Sequence, residues 1–215
     1  MKKTVLAALL GGALFATSVS AHEAGSAILR VGGVFVNANS SSTTTTAIPV
    51  QLDVNNNAQL GLTATYMITD HIGVELLGAT PFSHRVAATV PAANLALGDV
   101  VKVKHLPPSL YAQYYFLDKD AGSRPYIGAG LNYTRFFGAK ALNPAVTDLQ
   151  IKKHSFGPVV NAGIDIKLTD KLSLNTAMWY TRIKTKANFN ALGAAHEVKI
   201  KLDPVVFFTG LSYKF

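Results

Sequence analysis

The chain has 215 residues, of which 49% are hydrophobic and 15% charged, and it contains no cysteine. Without cysteine there is no disulfide framework to stabilise an exported fold. Lysine and arginine together exceed aspartate and glutamate by 8. Because no basic helix or recognition motif accompanies this excess, the sequence does not predict binding to nucleic acid.

The beginning of the chain, MKKTVLAALLGGALFATSVSA, has the order of parts found in an export signal. Two lysines precede an apolar run over residues 5–16, which is too short for a membrane-spanning helix. A Val-Ser-Ala segment at residues 19–21 then supplies a cleavage site. We therefore predict a cleaved signal peptide at residues 1–21 and one domain at residues 22–215.

The rest of the chain alternates apolar and small or polar residues, which is the period of β-strands. In QLGLTATYMIT, for example, Leu60, Leu62 and Tyr66 share one face, while Thr63 and Thr65 lie on the other. Eight segments follow this pattern: AILRVGGVFV, QLGLTATYMIT, IGVELLGAT, SLYAQYYF, RPYIGAGLNY, SFGPVVNAGIDIKL, LSLNTAMWYTRI and VVFFTGLSYKF.

The connections between these segments alternate in length. TDH, LDKDAGS and TDK are short, whereas residues 38–58, 82–105, 137–149 and 184–197 are long. This asymmetry is typical of outer-membrane barrels, and closure of the sheet pairs every backbone group in lipid. We predict an all-β fold: an eight-stranded antiparallel transmembrane β-barrel with short periplasmic turns and long extracellular loops. A soluble β-sandwich, the alternative, would need polar outward faces.

The low-complexity run NANSSSTTTT, from Asn37 to Thr46, opens the first long connection. Its composition favours a mobile external loop with no chemical role.

Several long segments resemble the OmpW family of outer-membrane proteins. They are HEAG, NNAQLGLTATYMITDHIGVELLGATPF, HLPPSLYAQYYF, RPYIGAGLNYTRFF and LDPVVFFTGLSYKF. The resemblance implies an eight-stranded barrel in the outer membrane of a Gram-negative bacterium that admits small hydrophobic molecules. Some members serve as receptors for bacteriocins or phages. The resemblance also implies that Phe215 is the signal read by the barrel-assembly machinery.

Alternation assigns four charged residues to the lumen near its periplasmic end: Arg30, Glu75, Asp165 and Lys214. Isolated buried charges are costly, so we expect these side chains to pair with one another. They would form either a structural plug or a gated path for ions.

Further out, the lumen is predicted to become apolar. Its candidate lining residues are Leu77, Trp179, Val34, Ala79, Tyr111, Val159, Val206 and Phe208. Given a rise of ~3.3 Å per residue and a tilt of ~40°, Leu77 and Trp179 lie roughly 13 and 18 Å above the periplasmic strand ends. Because their strands are four apart, we expect the two side chains to meet across the lumen. They would form an apolar constriction or binding site, or else simply fill the core; the resemblance implies a hydrophobic gate.

A charged plug below an apolar lumen would impede an apolar ligand, so we consider a sideways exit into the membrane. Pro158 lies on the lipid-facing side of its strand and lacks an N–H group, which weakens the ladder there. Pro107, Pro108 and Pro204 lie near the outer ends of two other strands.

The outer rim is predicted to be basic. The lysines at its strand ends are Lys152, Lys153, Lys184, Lys186, Lys199 and Lys201. Lipopolysaccharide phosphates are a plausible electrostatic match for such a cluster, and an ordinary solvated rim is the alternative.

No catalytic constellation, metal site or cofactor is predicted. Ser83 precedes His84 and His154 precedes Ser155, but adjacency in sequence does not establish a catalytic pair. The leading hypothesis is an outer-membrane channel or binding protein for small hydrophobic molecules, whose partners are lipid, lipopolysaccharide and the assembly machinery. The alternative is a surface receptor or adhesin that acts through its loops.

Overall fold

The computed structural model describes residues 23–44, 49–191 and 193–215, and the predicted signal peptide lies outside them. In these ranges the chain forms β1 (Ala27–Asn37), β2 (Ser41–Thr44), β3 (Gln51–Val54), β4 (Asn57–Met67), β5 (Ile72–Ala79), β6 (Phe82–Val90), a 3-10 turn (Pro91–Ala93), β7 (Leu95–Leu106), β8 (Ser109–Tyr115), β9 (Ser123–Ala141), β10 (Thr147–Ile151), β11 (His154–Lys167), β12 (Leu172–Thr181), β13 (Lys184–Ala191), β14 (Ala194–Lys201) and β15 (Val205–Lys214). No helix of sufficient length and apolarity to cross a membrane occurs in the described ranges.

Eight of the described strands close into an antiparallel barrel. Their order around the barrel is β1, β4, β5, β8, β9, β11, β12 and β15, and β15 pairs with β1 to complete the ring. Each of the eight sequence segments with a period of two supplies one of these strands. The predicted fold class is therefore confirmed.

Alternation along the strands separates the two faces of the barrel. Val31, Leu62 and Leu211 lie side by side on neighbouring strands with 43%, 45% and 50% of their surface exposed. Their neighbours Arg30 and Thr63 are each 1% exposed and point into the barrel. The exposed apolar residues thus form the lipid-facing surface, and the polar residues lie in the lumen.

Glycine allows a close approach at the strand pair that closes the ring. Gly32 of β1 faces Gly210 of β15, and a Cβ on either residue would collide with backbone atoms of the other strand. A Cβ on Gly61, beside Gly32 on β4, would meet the side chains of Val34 and Phe208. These glycines leave room for the Phe208 ring inside a narrow barrel.

The long connections on the extracellular side are ordered as strands for much of their length. Strands β2, β3, β6, β7, β10, β13 and β14 lie in those connections, and β9 continues past its pairing with β8 to pair with β7. We call these seven strands and the outer part of β9 the outer extension. It extends the barrel wall beyond the eight-stranded ring.

Two sheets form the outer extension. One branches from β9 in the order β7, β6, β3, and the other has the order β10, β13, β14, β2. Their inner faces share an apolar core made of Val50, Leu52, Val54, Val86, Ala88, Val100, Val101, Val103, Phe136, Val146, Ile183, Ala187, Phe189, Val198, Ile200 and Leu202. Burial of this core explains why the connecting segments are ordered as strands.

The serine and threonine run contributes to the ordered wall as far as Thr44, contrary to the prediction of a mobile loop from Asn37 to Thr46, whose last two residues lie outside the described ranges. The β2 backbone pairs with β14. On its other side, the hydroxyls of Ser40, Ser42 and Thr44 accept hydrogen bonds from backbone N–H groups of residues 54, 52 and 50, at 3.1, 2.8 and 2.9 Å. The alternate spacing of the hydroxyls matches the strand period, so side chains join the two sheets.

Candidate functional site

A buried ion cluster occupies the lumen near its periplasmic end. The Arg30 guanidinium donates to Glu75 through Nη1 and to Asp165 through Nη2, the latter at 2.6 Å. Its Nε atom also donates to Asp165, at 3.2 Å, so the Asp165 contact is bidentate. All three side chains are almost completely buried. We call Arg30, Glu75 and Asp165 the polar plug.

Neutral side chains supply the remaining hydrogen bonds of the polar plug. Asp165 accepts bonds from Asn175 at 2.8 Å and Ser212 at 3.2 Å. Glu75 accepts bonds from Thr65 and Tyr111, and Arg30 also donates to Tyr115 at 2.9 Å. A buried ion cluster is tolerated only when such bonds complete it. This extensive bonding favours a structural plug over a mobile gate for ions.

Lys214 does not join the polar plug, so the expected pairing of four charges is wrong for this residue. Its Nζ atom is buried and has no hydrogen-bond partner among the described residues. Arg30 alone bridges both acids, because its fork of N–H groups can reach two carboxylates at once. Arg124, which sequence reasoning missed, lies nearby with its guanidinium 5.3 Å from the centre of the Tyr115 ring.

An apolar cavity of about 30 Å³ lies in the barrel. We call it the barrel chamber, and its walls include Val34, Leu77, Ala79, Val159, Trp179 and Val206, together with Val36, Phe82, His105, Pro107, Ser109, Asn132, Thr181, Ile183 and Pro204. Six of the eight predicted lumen residues therefore line one cavity. The other two, Tyr111 and Phe208, belong to the hydrophobic cluster that packs around it.

Tyr111 connects the barrel chamber to the polar plug. Trp179 Nε1 donates to the Tyr111 hydroxyl at 2.8 Å, and that hydroxyl donates to Glu75. The Trp179 ring also packs edge-on against Phe208, with ring centres 5.9 Å apart. The tryptophan is therefore held at both its polar and apolar edges. The sequence assigned Tyr111 to the apolar wall and missed this bridging role.

A second apolar cavity, of about 50 Å³, lies in the outer extension. We call it the outer chamber; its walls are Val50, Leu52, Val54, His84, Val86, Ala88, Leu97, Val100, Val101, Val103, His105, Phe136, Val146, Leu149, Ile151, Thr185, Ala187, Phe189, Ala191, His196, Ile200 and Leu202. Sequence reasoning missed it because these residues were assigned to loops. The alternation of FSHRVAATV, whose Phe82, Val86 and Val90 are all buried, was the available signal.

Two histidines lie between the chambers. The rings of His84 and His105 are stacked, with centres 4.9 Å apart and planes at 7°. Phe82 stacks on His105 at 5.3 Å, and Phe136 packs against it at 5.7 Å. His105 lines both chambers, whereas His84 lines the outer chamber alone.

Burial keeps both imidazoles neutral. Desolvation, with a smaller effect of neighbouring His84, lowers the pKa of His105 to about 3. Desolvation also lowers the pKa of His84, partly opposed by its hydrogen bond to the Asn55 backbone. Within the described ranges, no cluster of three or more histidine or acidic side chains is arranged to hold a metal ion.

Proline interrupts the barrel wall beside the barrel chamber. The β11–β12 ladder ends at the pair Val159 and Thr181, and the next residue outward on β11 is the exposed Pro158. The Pro158 carbonyl accepts a bond from the Arg182 N–H group at 3.2 Å. At the β8–β9 seam, Asn132 donates to the carbonyls of the Pro107–Pro108 pair at 3.2 and 3.3 Å, so a side chain seals that seam.

The predicted rim lysines include two directly opposed pairs. Lys184 faces Lys201, and Lys186 faces Lys199, on the outward side of β13 and β14. The Lys152 N–H group bonds to the backbone of Lys186 at 2.8 Å, and the Lys153 carbonyl accepts a bond from β9. The structure thus brings at least five of the six lysines to one group of neighbouring strands. Glu197 pairs with Lys186 at 2.9 Å.

The terminal Phe215 is 39% exposed at the periplasmic end of the barrel. Its N–H group bonds to Ala27 at 2.9 Å, and its ring packs edge-on against Tyr213 with centres 4.9 Å apart.

The closed barrel, its apolar outer surface and its buried polar lumen define an outer-membrane β-barrel protein. The sequence model of the OmpW family matches residues 23–215. The chain belongs to the OmpW family, as the sequence resemblance predicted, and it is a protein of the Gram-negative outer membrane.

Individual relatives agree with this assignment. Outer membrane protein W of Vibrio cholerae is 40% identical to this chain over 219 aligned residues that cover all of both proteins. The Escherichia coli protein of the same name is 41% identical over the same span. The crystal structure of OprG from Pseudomonas aeruginosa is 34% identical, with a TM-score of 0.82 over 91% of this chain and 98% of that one.

Replacement of Arg30 by methionine should lower the free energy of unfolding by about 3–5 kcal/mol, because it leaves two buried carboxylates without their cation. Urea unfolding in lipid vesicles, followed by the fluorescence of Trp179, measures this loss. The matched control is Arg85→Met, which removes an exposed arginine from its ion pair with Asp99 and should cost at most about 1 kcal/mol. Similar losses in the two variants would contradict the role given to the polar plug.

Proposed function

We propose that the protein admits and binds small hydrophobic molecules at the outer membrane. The observation that carries the proposal is the pair of apolar chambers, one in the outer extension and one in the barrel, that share His105 as a common wall. Apolar walls favour apolar ligands because binding removes both surfaces from water. The proposal assigns no catalytic step.

The polar plug supports a sideways exit in preference to passage along the whole lumen. Beyond the barrel chamber, an apolar ligand would meet Arg30, Glu75 and Asp165, whose bonds would have to break to let it pass. We place the exit at the outer end of the β11–β12 seam. Val159 and Thr181 line the barrel chamber there, and Pro158 supplies no N–H group to the adjoining ladder.

Leu77→Ser and Trp179→Ser should each weaken the binding of toluene by about tenfold, because each removes apolar surface from the chamber wall. Calorimetric titration of the protein in nanodiscs measures the affinity, with empty nanodiscs correcting for partition into lipid. Leu62→Ser is the matched control, since Leu62 lies on the lipid-facing side of the strand that pairs with β5.

Unchanged affinity in both chamber variants would refute the assignment of the barrel chamber. A natural-sequence protein that binds no toluene would instead favour the alternative function, a surface receptor that acts through its extracellular parts.

A disulfide that locks the β11–β12 seam should abolish uptake of hydrophobic compounds by cells while leaving binding intact. The chain has no cysteine, so Val160→Cys with Tyr180→Cys, a directly paired lipid-facing position, introduces a single bridge. Uptake should return when a reductant opens the bridge.

The control for this experiment is Phe35→Cys with Phe207→Cys, which bridges β1 to β15 at another lipid-facing pair. If both oxidised proteins support uptake equally, the exit does not lie at the β11–β12 seam.

We also propose that the opposed lysines bind lipopolysaccharide phosphates. Like charges directly opposite each other on a sheet are destabilising unless a counter-charge is present. Glu197 pairs with Lys186, and an external anion would relieve repulsion between the opposed lysines. From the family resemblance, we also propose that the barrel-assembly machinery reads Phe215 as its recognition signal.

Lys199→Gln with Lys201→Gln should weaken lipopolysaccharide binding and reduce its dependence on salt, because fewer phosphates are neutralised. Titration in nanodiscs at several salt concentrations measures both quantities. Lys119→Gln, in a short turn at the periplasmic end of the barrel, is the control. Binding that does not respond to salt in the natural sequence would contradict the phosphate contact.

A further inference from the structure

Two buried nitrogen atoms at the junction of the chambers have no partner. His84 Nε2 and His105 Nδ1 are both enclosed, and neither makes a hydrogen bond within the described part of the chain. The two residues are 2% and 3% exposed. A buried polar atom without a partner costs about 1–3 kcal/mol, and both histidines line the outer chamber, so a ligand group that reached these atoms from the chamber would complete them.

The hydrogen bonding of His84 fixes what such a group must be. His84 Nδ1 lies 2.7 Å from the Asn55 carbonyl oxygen, which can only accept. His84 Nδ1 must therefore carry the proton. In a neutral imidazole the other nitrogen is then an acceptor, so His84 Nε2 requires a hydrogen-bond donor. His105 Nδ1 accepts or donates according to its tautomer.

The surroundings select a neutral and mostly apolar ligand. Apart from the histidines, Thr185 is the one side chain lining the outer chamber that carries a polar group. An ion would be poorly solvated there. The rings of Phe136 and Phe189 line the outer chamber and offer flat apolar surfaces. These surfaces suit a planar ring better than a flexible chain.

We propose that His84 and His105 form a binding subsite for small aromatic molecules that carry one hydroxyl group. The hydroxyl donates to His84 Nε2, and its lone pairs accept from His105 in the tautomer protonated at Nδ1. The ring occupies the apolar space of the outer chamber. This inference rests on the proposed function and specifies the ligand class, so that phenols bind in preference to the hydrocarbons of the same shape.

The sequence explains why the two histidines meet. Phe82 of β6 faces His105 of β7, and His84 faces Val103, so the imidazoles are diagonal neighbours across one hairpin. Both point to the inner face of the outer extension, where the strand period places them beside Val86 and Val103.

The test compares 4-methylphenol with toluene, which differ only by the hydroxyl group. Calorimetric titration in nanodiscs should show that the natural sequence binds 4-methylphenol at least about tenfold more tightly, after correction for partition into empty nanodiscs. His84→Phe keeps a flat ring at this position but removes the acceptor. This variant should bind the two ligands with nearly equal affinity. His154→Phe, an exposed position outside both chambers, should leave the preference unchanged.

Nuclear magnetic resonance of histidine labelled with nitrogen-15 gives an independent readout that requires no variant. The His84 Nε2 resonance should shift when 4-methylphenol is added and should not shift with toluene. Equal binding of both ligands by the natural sequence, or an unshifted resonance on saturation with the phenol, would overturn the subsite but leave the proposed function intact. Failure of both ligands to bind would overturn the proposed function as well.

Discussion

The hydrogen-bonded ladder between β1 and β15 is the constraint on which the rest of the structure depends. A β-sheet satisfies every backbone group in a hydrocarbon layer only when it closes into a ring. Closure in turn gives each strand an outside that must be apolar and an inside that is free to be polar. Gly32 and Gly210 lie where the ring closes, and their lack of side chains lets the two strands approach. The lumen chemistry is therefore a consequence of how the first and last strands meet.

Inside the ring, one chain of hydrogen bonds leads from the charged polar plug to the apolar barrel chamber. Arg30 holds Glu75, Glu75 accepts the Tyr111 hydroxyl, and that hydroxyl accepts the indole N–H of Trp179. The indole then faces an apolar cavity. Each group satisfies the one before it, so no unpaired charge borders the barrel chamber. A ligand in that chamber meets an aromatic surface that is fixed from beneath by the polar plug.

The sequence predicted the ring and the facing of its side chains, because a period of two in a segment of about ten residues is decisive where one face meets lipid. It did not predict the outer extension, although FSHRVAATV alternates just as well. Because eight strands already accounted for the membrane barrel, the other segments were classed as loops, even though β6 with β7 and β13 with β14 are hairpins of consecutive strands. The contact of Trp179 with Tyr111 and the stack of His84 on His105 depend on register between strands. The expected inclusion of Lys214 in the polar plug was wrong because alternation gives a face but does not specify partners.

In the outer extension, serine and threonine hydroxyls join β2 to β3 in place of a backbone ladder. Along this line Ser40, Ser42 and Thr44 accept three bonds through their side chains, and no backbone ladder joins the described strands β2 and β3. Parting the two sheets here would interrupt no ladder in either of them. A low-complexity run of serine and threonine thus joins the two sheets, and separating them along this line would cost less backbone pairing than separating neighbouring strands within either sheet.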